Sequence, residues 1–493
     1  MPTRKRPLHT LILAAGLGKR MRSRRIKLLH DVAGRPMLNW VLDAVRAMPA
    51  AGHYIVLGNQ ADQVRELLGD DAPKVLIQRE QRGTGHAVMQ AERALAGQRG
   101  DLLILSGDIP AIRTLTLKAF VSAHVRSGAA ASVLATTLED PTGYGRILRD
   151  GLGQFAGIVE ERDATAEERR IPEVSVGIYC IDIPLLFRAL RRTRPDNAQG
   201  EFYLPDVLGI LKEDGRKVIA HTHDEPWEVL GVNSRAELAR VSKLINHRIV
   251  DAWMERGVTF IDPDRTFVGP DVRIGRDTIV HPGVLLEGST VIADECIVRQ
   301  GCHLVNTRVE KGANLLPYCV IEDSRVGPGA RVGPFARLRP GVDLGPDVRI
   351  GNFVELKKSR LGRGTKANHL SYIGDSEIGA ACNIGAGTIT CNYDGVAKHK
   401  TIIEDGVFIG SDTQLVAPVA VRRGAYVASG TTVTEEVPGG ALSISRVRQK
   451  NILGWVAKKK RERAAAARAA AKKKPAAPAA RASKKKPAAR RGR

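Results

Sequence analysis

The stretch that decides the fold is Arg325–Leu356, which reads RVGPGARVGPFARLRPGVDLGPDVRIGNFVEL. An aliphatic residue returns at every sixth position, as Val326, Val332, Leu338, Leu344, Ile350 and Leu356. The same period runs through Ile403, Ile409, Leu415, Val421, Val427 and Val433. A period of six fits neither an isolated strand nor a helix. It is typical of a hexapeptide-repeat parallel β-helix, in which the periodic aliphatic residues fill the axis of a three-sided coil.

Glycine often follows the periodic aliphatic residue, at Gly327, Gly333, Gly345, Gly351 and Gly410. We expect these glycines to supply the backbone freedom that the corners of the coil need. The repeat predicts a β-helix from near Val268 to near Val433. It is broken between Thr390 and Thr401, where TCNYDGVAKHK is expected to leave the coil as a functional loop.

Upstream of the repeat, residues 1 to about 232 alternate strand-like runs with helical patterns. The strand candidates are TLILAAG, HYIVLG, KVLIQ, DLLILSGD and ASVLATTL, and helices are predicted at Asn39–Met48 and Thr84–Leu95. This alternation predicts a doubly wound, mainly parallel, Rossmann-like α/β sheet. A helix over Ser234–Gly257, capped by Ser234, would join the two domains.

Charge is unevenly distributed along the 493 residues, because +15 of the net charge of +23 lies in Lys458–Arg493. After Lys450 the chain consists mainly of Ala, Lys, Arg and Pro, and it is expected to be disordered. Such a tail is either a solubilising extension or a segment that contacts anionic polymers or surfaces. It has no aromatic residue beyond Trp455, so base stacking is not expected.

Composition is otherwise ordinary for a soluble globular protein, with 43% hydrophobic and 26% charged residues. The six cysteines form no CxxC pattern and are expected to be reduced thiols in a cytoplasmic protein. No apolar run approaches the roughly 20 residues of a transmembrane segment. The opening MPTRKRPLHTLILAAG superficially suggests a signal peptide, but its short apolar run favours a buried first strand.

The first group of candidate functional residues follows the strands of the N-terminal half. Gly16 and Gly18, in LILAAGLGKRM, would let the backbone approach a ligand, although alone they fit an ordinary tight turn equally well. In QREQRGTGHA, the residues Gln78, Gln81, Gly83 and Thr84 suit the edge of a base. Asp108 in LSGDIP is expected at the ligand-binding end of the sheet, and with Asn233 in GVNSR it could complete an Mg²⁺ site. A lone Asp after a strand is otherwise often a helix cap.

The second group lies within the repeat and points to acyl transfer. His369, in KANHLSYIGD, could be the base that an amine nucleophile needs, and Glu355 could orient it. A lone His in a solenoid is usually a packing residue. Here it lies close in sequence to Tyr372, Asn383, Asn392 and Tyr393, with Arg339 and Lys357 as cations for a sugar phosphate.

Together these strings resemble the sugar-1-phosphate nucleotidylyltransferases. With the hexapeptide half, residues 8–450 resemble the family of bacterial bifunctional N-acetylglucosamine-1-phosphate uridylyltransferase and glucosamine-1-phosphate N-acetyltransferase. The resemblance implies a homotrimeric enzyme of UDP-N-acetylglucosamine synthesis that uses acetyl-CoA, glucosamine-1-phosphate, UTP, N-acetylglucosamine-1-phosphate and Mg²⁺. The implied domains are a uridylyltransferase at 1–233, a linker helix at 234–257, a left-handed β-helix acetyltransferase at 258–450 and a tail at 451–493.

The resemblance also implies roles for single residues of the uridylyltransferase half. The nucleotide would be contacted by Leu13, Ala14, Ala15, Gly16 and Gly18, its phosphates by Arg20 and Lys27, and its uracil by Gln78, Gln81, Gly83 and Thr84. The sugar would be held by Gly143, Glu160 and Ser175, and Mg²⁺ by Asp108 and Asn233. Positioning and charge neutralisation, without a protein nucleophile, would carry the reaction.

In the acetyltransferase half, the resemblance implies that His369 is the general base and that Glu355 assists it. Glucosamine-1-phosphate would be bound by Arg339, Lys357, Tyr372 and Asn383. Acetyl-CoA would lie between subunits, along Ala386, Asn392, Tyr393, Ser411, Ser429 and Arg446. The amine would attack the thioester directly, so Cys382 and Cys391 need no nucleophilic role.

Four positions depart from the family pattern. Ile26 stands where Pro is common, Ser106 where an aromatic residue is often found, Ser175 in place of a sugar-contacting Asn, and Leu230 in place of Glu. These changes leave an alternative open, an acetyltransferase whose nucleotidyltransferase site has decayed or altered. A basic nucleic-acid-binding protein is a further alternative, which only the tail favours.

Overall fold

A computed structural model describes residues 6–16, 18–58, 61–69 and 72–472. The chain forms two compact units, Met1–Ile444 and Ser445–Arg493. The packed hydrophobic cores lie in the first unit, two on the faces of an α/β sheet and one along a β-helix.

The α/β part is built on a nine-stranded sheet. Its main path runs in the order Val218–His223, Ala131–Thr137, Glu173–Asp182, Asp101–Ser106, Leu8–Ala14, Gly52–Leu57 and Lys74–Ile77. Gly145–Arg149 and Phe155–Val159 extend it, and Asp31–Val32 pairs with Arg35–Pro36 as a separate hairpin. The prediction of a Rossmann-like sheet is confirmed, with one modification. Glu173–Asp182 runs antiparallel to both neighbours, so the sheet is mixed.

Helices cover both faces of this sheet because each carries an apolar stripe. In Met37–Arg46, for example, Val41, Leu42 and Val45 are buried. The other α-helices of this part are Ala61–Leu68, Thr84–Met89, Thr114–Ser127, Ile183–Leu190, Asp206–Glu213 and Pro226–Val229. Its 3₁₀ helices are Lys19–Met21, Lys27–Leu29 and Glu168–Arg170, and a further one, Pro263–Arg265, lies in the β-helix.

Arg235–Met254 is a 20-residue helix, called the linker helix below. Ser234 caps it as predicted, in a reciprocal capping box with Glu237. Val241 and Ile245 pack into the α/β core, whereas Val250 belongs to the β-helix core. The buried Asn246 amide donates to the Thr266 carbonyl over 2.7 Å, so the linker helix is fixed to the first coil.

The β-helix consists of three parallel sheets of 11, 10 and 9 strands. The first contains Thr259–Phe260, Ile279–Val280, Ile297–Val298, Asn314–Leu315, Arg331–Val332, Arg349–Asn352, Lys366–His369, Asn383–Ile384, Phe408–Ile409, Tyr426–Val427 and Leu442–Ser443. The second contains Phe267–Val268, Leu285–Glu287, His303–Val305, Val320–Glu322, Arg337–Leu338, Glu355–Lys357, Tyr372–Gly374, Ile389–Cys391, Gln414–Val416 and Thr432–Val433. The third contains Arg273–Ile274, Val291–Ile292, Arg308–Val309, Arg325–Val326, Asp343–Leu344, Arg360–Leu361, Ser376–Ile378, Thr401–Ile403 and Val419–Val421.

The sequence period is explained by the axis of the coil. All twelve periodic aliphatic residues are at most 3% exposed. The coil is longer than the repeat predicts, because Phe260 already pairs with Val280 and Leu442 still pairs with Tyr426. Backbone hydrogen bonds form these terminal coils, and such bonds do not require the hexapeptide pattern.

The expected role of the repeat glycines is wrong for four of the five. Only Gly333 has a positive φ, of 103°. At Gly327, Gly345, Gly351 and Gly410 a Cβ atom would instead lie 1.8–2.9 Å from the backbone of the next coil. Glycine is therefore needed there for close backbone approach rather than for a left-handed conformation.

The tail departs from the prediction of disorder over its first part. Trp455–Lys472 forms an α-helix, called the tail helix below, because Ala, Lys and Arg have high helix propensity. Its side chains are exposed from Trp455 to Ala471. The remainder of the predicted disordered tail, 473–493, lies outside the described residues.

Two simpler expectations can be compared directly with the structure. All six cysteines are free, and five are buried, whereas Cys391 is half-buried. Among the described residues, no helix has both the length and the apolar character needed to cross a membrane.

Candidate active sites

The first candidate site lies at the carboxyl ends of the central parallel strands. Leu8–Ala14 and Asp101–Ser106 are hydrogen-bonded neighbours, so the turn after the first and Asp108 after the second reach the same edge of the sheet. A cavity of about 700 Å³ opens there, next to a second one of about 320 Å³. All the residues expected at the uridylyl site line one or both cavities: Leu13, Ala14, Ala15, Gly16, Gly18, Arg20, Lys27, Gln78, Gln81, Gly83, Thr84, Asp108, Gly143, Glu160, Ser175 and Asn233.

The two amide side chains expected to contact the uracil are held by hydrogen bonds to backbone groups. Gln81 Nε2 donates to the Ala15 carbonyl over 2.7 Å, and Gln78 Nε2 donates to the Gly83 carbonyl over 3.2 Å. A Cβ atom at Gly83 would lie 2.5 Å from the Phe202 carbonyl oxygen, so only glycine fits. This edge of the cavity is therefore a preformed polar rim of amide and backbone groups.

Lys27 joins the two residues expected to bind the metal. Its ammonium forms a short ion pair with the Asp108 carboxylate and donates to Asn233 Oδ1 over 2.7 Å. The Lys27 side chain is only 9% exposed. Residues separated by 81 and 206 positions thus converge on one cationic group.

That convergence tests whether a divalent metal fits. The carboxylate of Asp108 and the amide oxygen of Asn233 point at the same positively charged atom, and hard divalent ions take oxygen ligands of this kind. Among the described residues no cluster of three or more His, Cys, Asp or Glu could hold an ion by itself. The pair therefore fits an ion that completes its coordination with water and phosphate oxygens.

Polar groups also line the other end of the large cavity, where Ser175 and Tyr179 are buried and Glu160 is half-buried. Burial, and then Asp163 and Asp206, raise the pKa of Glu160. Ser175 Oγ lies 3.3 Å from the Tyr179 hydroxyl, and burial raises the pKa of that phenol. This end offers hydroxyl groups and a carboxyl to a polar ligand.

The four residues that depart from the family pattern differ in whether they line the first candidate site. Ser175 and Ser106 line the large cavity, but Leu230 does not and is buried in the α/β core. Ile26 has φ −55°, close to the value that Pro would impose, so the backbone there needs no proline. Ser175 and Ser106 are therefore the changes that touch the site.

Several lining residues were missed by the sequence interpretation, among them Tyr144, Tyr179 and Glu201. Burial, and then Glu237 and Asp108, raise the pKa of Tyr144 to about 12. Tyr179 follows Ser175 by four positions in one strand, and the two hydroxyls lie 3.3 Å apart although the register with the neighbouring strand shifts between them. Because this irregularity interrupts the alternation of the strand, no signal in the sequence identified Tyr179.

The second candidate site begins at a corner of the β-helix. Asn352 and His369 are paired across adjacent coils. The pairing of Ala367 with Ile384, and of Ile384 with Ile409, places Ala386 one coil and Ser411 two coils after His369 at the same position. The Ile409–Val427 pair continues the row to Ser429. Four expected residues, His369, Ala386, Ser411 and Ser429, thus share one corner with Asn352. We call this row the base corner.

The partner of His369 differs from the expectation. His369 Nδ1 lies 3.1 Å from Asn352 Oδ1, whereas Glu355 forms a 3.0 Å ion pair with Arg339. Within one chain Glu355 is therefore paired with Arg339, and its assistance to His369 stays a prediction. In the tautomer in which Nδ1 donates to the Asn352 amide oxygen, Nε2 is the nitrogen that can accept a proton.

The expected phosphate-binding cations lie on the adjoining ten-stranded face. Leu338 pairs with Leu356, which places Arg339 and Lys357 in register on neighbouring coils. The pKa of Lys357 is lowered, first by its contact with Lys398 and also by the charge of Arg339. Lys398, in the interrupting loop, was not singled out in the sequence, although the loop itself was. Crowded cations of this kind favour an anionic ligand.

Tyr372 and Asn392 meet over Gly374. A Cβ atom there would lie 2.6 Å from the Tyr372 hydroxyl and 2.8 Å from Asn392 Nδ2. Asn392 also bonds to Asp375, and Tyr393 is 59% exposed. Asn383 is in register with Lys366 on the eleven-stranded face. Arg446 belongs to the second unit, Ser445–Arg493.

The interrupting loop, 392–400, leaves the coil as predicted and is internally braced. The Asp394 carboxylate accepts from the Val396 and Ala397 amides over 2.8 and 2.7 Å, and His399 Nε2 lies 2.7 Å away. The Ala397 amide and then His399 lower the pKa of Asp394. The loop is therefore a defined element beside Tyr372 rather than a loose insertion.

Comparison with known proteins covers both sites. Residues 10–171 match the MobA-like NTP transferase domain. The chain is 46% identical over 455 residues to the bifunctional protein GlmU of Brevibacillus brevis, covering 92% of this chain and 98% of that relative. It is 47% identical over 451 residues to the bifunctional protein GlmU of Trichlorobacter lovleyi, covering 91% and 98%. The GlmU of Thermoanaerobacter pseudethanolicus is 46% identical over 452 residues, with coverage of 92% and 98%.

Proposed function

Because this chain belongs to the family of the bifunctional GlmU proteins, we propose that it is a transferase that makes UDP-N-acetylglucosamine in two steps. It first transfers acetyl from acetyl-CoA to glucosamine-1-phosphate. It then transfers uridylyl from UTP to N-acetylglucosamine-1-phosphate and releases pyrophosphate. The observation that carries this proposal is the convergence of every expected uridylyl-site residue on two adjoining cavities, in a chain related to GlmU over both halves.

Each proposed reaction is assigned to one part of the fold. We assign uridylyl transfer to residues 1–233, acetyl transfer to 258–450, and the connection to 234–257. The NTP transferase match at 10–171 supports the first assignment. The position of His369 and the cation cluster on the β-helix supports the second.

In uridylyl transfer, a phosphate oxygen of the sugar attacks the α-phosphorus of UTP, and the bond to the bridging oxygen of pyrophosphate breaks. Gln78, Gln81, Gly83 and Thr84 hold the uracil, and Arg20 and Lys27 neutralise the phosphates. Glu160 and Ser175 hold the sugar. The site needs no protein nucleophile, because alignment and charge neutralisation supply the catalysis.

The metal in this step is proposed to be Mg²⁺, held by Asp108 and Asn233. When bound, it would neutralise charge on the phosphates. Lys27 contacts both proposed ligands, so its ammonium places a positive charge beside them that can neutralise phosphate oxygens.

In acetyl transfer, the amine of glucosamine-1-phosphate attacks the thioester carbon, the C–N bond forms, and CoA leaves as its thiol. His369 Nε2 accepts the amine proton while Asn352 holds Nδ1. Arg339, Lys357 and Lys398 neutralise the sugar phosphate, and Tyr372 and Asn383 contact the sugar. Acetyl-CoA lies along Ala386, Asn392, Tyr393, Ser411, Ser429 and Arg446. Glu355 acts through Arg339, its ion-pair partner.

We further propose a homotrimer whose acetyl sites lie between subunits. An exposed aromatic ladder, Tyr318, Phe335 and Phe353, stacks with ring centroids 5.3 and 5.4 Å apart. These residues are 52%, 48% and 57% exposed. Phe353 follows Asn352 directly, so the aromatic ladder adjoins the base corner. A contiguous exposed apolar surface of this kind favours a subunit interface.

The tail and the cellular location complete the proposal. The tail helix carries seven Lys and Arg and one Glu, and its side chains from Trp455 to Ala471 are exposed, which supports contact with anionic polymers or surfaces. The match to B. brevis GlmU leaves about 8% of this chain uncovered, while 98% of that relative is covered. We place the enzyme in the cytoplasm, where its cosubstrates are made and free thiols persist.

Two assays on the full-length protein test the function. Pyrophosphate release from UTP and N-acetylglucosamine-1-phosphate with Mg²⁺ measures the first site, and thiol release from acetyl-CoA with glucosamine-1-phosphate measures the second. Both activities are expected. Thiol release without pyrophosphate release would favour the alternative, an acetyltransferase whose nucleotidyltransferase site has been altered at Ser175 or Ser106.

A further inference from the structure

A buried carboxylate lies behind the first site. The Glu228 side chain is 0% exposed. Its carboxylate accepts from the Arg113 guanidinium over 2.5 Å and from Arg248 over 3.2 Å. It also accepts from the Thr116 hydroxyl and from the Arg113 backbone amide. We call Glu228, Arg113 and Arg248 the Glu228 cluster.

The cluster connects two segments of the chain, one that begins at Asp108 and one that ends at Asn233. Arg113 follows Asp108 by five residues, and Glu228 precedes Asn233 by five residues. At the ends of these segments that carry Asp108 and Asn233, the Val232 amide donates to the Asp108 carbonyl over 2.8 Å. The segments are therefore tied twice, once beside the two oxygen ligands and once at the cluster.

Arg248 adds the linker helix to this arrangement. Its guanidinium donates to the Ala111 carbonyl over 2.6 Å as well as to Glu228. Two residues earlier on the same helix, Asn246 bonds to the first coil of the β-helix. Both segments are thus held by contacts with the linker helix as well as by contacts with each other.

Stability does not by itself account for such a cluster. A buried ion pair contributes little more than well-packed apolar residues of similar volume, because desolvation offsets the attraction. What the cluster provides is fixed geometry, since each carboxylate oxygen of Glu228 is bound from more than one side.

We propose that Glu228, with Arg113 and Arg248, sets the separation of the Asp108 and Asn233 oxygens and so tunes metal affinity in uridylyl transfer. Glu228 is a positioning residue, because it acts through the two segments and touches no reacting atom. The inference rests on the proposed metal role of Asp108 and Asn233.

The test compares Glu228→Gln with a matched control, Asp101→Asn. Asp101 is also a buried carboxylate with an Arg partner, Arg6, but it lies at the opposite end of the strand that leads to Asp108. Binding of Mn²⁺ by the full-length protein, followed by electron paramagnetic resonance, is measured with and without UTP. The Mn²⁺ concentration for half-maximal pyrophosphate release is measured alongside.

We expect Glu228→Gln to weaken Mn²⁺ binding about 10- to 100-fold, as is typical when a residue that orients a metal ligand is changed. Thiol release should stay unchanged. Asp101→Asn should lower the unfolding temperature but leave Mn²⁺ affinity within about twofold of wild type. Arg248→Lys retains the charge without the reach to Ala111 and should give an intermediate affinity, which also serves if Glu228→Gln does not fold.

Unchanged Mn²⁺ affinity in Glu228→Gln and Arg248→Lys, with wild-type binding that Asp108→Asn abolishes, would overturn this inference alone. Wild-type protein that releases pyrophosphate but binds no Mn²⁺ would overturn the metal role of Asp108 and Asn233, and this inference with it. Absence of pyrophosphate release at any metal concentration would count against the proposed function itself.

Discussion

His369 is contacted at Nδ1 by Asn352, and Nε2 is the nitrogen proposed to accept the amine proton. We expect His369→Ala to reduce acetyl transfer by about 100- to 10,000-fold, the usual contribution of a general base. Uridylyl transfer should remain near wild type, because His369 lies on the β-helix and not in either uridylyl cavity. Thiol release and pyrophosphate release from the same preparation measure the two effects.

Asn352→Ala gives the matched comparison, since it removes the orienting contact and leaves the base. A smaller loss of acetyl transfer than in His369→Ala, with uridylyl transfer intact, is expected. Equal loss of both activities in either variant would indicate misfolding and would contradict the assignment.

Ser175 is the departure that touches the sugar end of the cavity. Ser175→Asn restores, next to Tyr179, the amide side chain that the family has at this position. One added hydrogen bond should lower the KM for N-acetylglucosamine-1-phosphate about 2- to 10-fold. The KM for UTP should not change, because Ser175 lies away from the Gln78 rim. A raised sugar-phosphate KM would mean instead that the cavity is already shaped around serine.

At the scale of elements, the repeat glycines are the strongest constraint on the coil. A Cβ atom at Gly351 would lie 1.8 Å from the Asn368 carbonyl oxygen, which is backbone and cannot turn away. We expect Gly351→Ala to lower the free energy of unfolding by more than about 3 kcal/mol, the upper end of ordinary overpacking.

Gly364→Ala is the control, because Gly364 has φ 68° but open space around it. Its cost should be limited to about 1–2 kcal/mol of left-handed backbone strain. Urea unfolding of the β-helix, followed by circular dichroism, distinguishes the two. Similar losses in both variants would show that the adjacent coil yields to the methyl group.

These elements also show what the sequence could predict. The period of six identified the axis, because the spacing of the inward residues is a local property of the chain. The Asn352–His369 pair could not be read in that way. Coils repeat after 18 residues between Val332 and Ile350 but after 17 between Ile350 and Ala367, so the partner of a corner residue depends on an accumulated register.

The sequence likewise predicts one part of the N-terminal site and not another. Asp108 and the Gly16 turn could be placed at one edge because parallel neighbouring strands end together. The ion pair of Lys27 with Asp108 and the Glu228 cluster could not be predicted, since they depend on how segments more than 80 residues apart meet.

At the scale of the whole molecule, the aromatic ladder tests the proposed homotrimer. We expect Phe335→Ser with Phe353→Ser to lower the mass measured by light scattering to that of one chain. Acetyl transfer should fall with it, while uridylyl transfer persists. Phe267→Ser, which changes an equally exposed aromatic residue outside the ladder, should leave the mass unchanged. A double variant that keeps the wild-type mass would contradict this interface.

The basic tail is tested by a chain ending at Gly454. We expect the full-length protein to bind double-stranded DNA with an affinity that falls steeply as salt rises, because bound cations release counterions. The shortened chain should bind weakly and with a shallower salt dependence, while both enzymatic activities remain. Equal binding by both chains at every salt concentration would contradict a role for the tail, and a parallel measurement with anionic vesicles separates polymers from surfaces.

The stacked architecture of the β-helix has a consequence for how this enzyme can diverge. If every later residue is to stay on its own face, a coil must be gained or lost as a whole, since the insertion of a single six-residue face would move the residues after it to the next face. Each such event would move the acetyl site along the axis by the spacing of neighbouring strands, about 4.8 Å. The distance between the two chemistries in related proteins is therefore expected to vary in discrete steps, whereas the interrupting loop can change length freely.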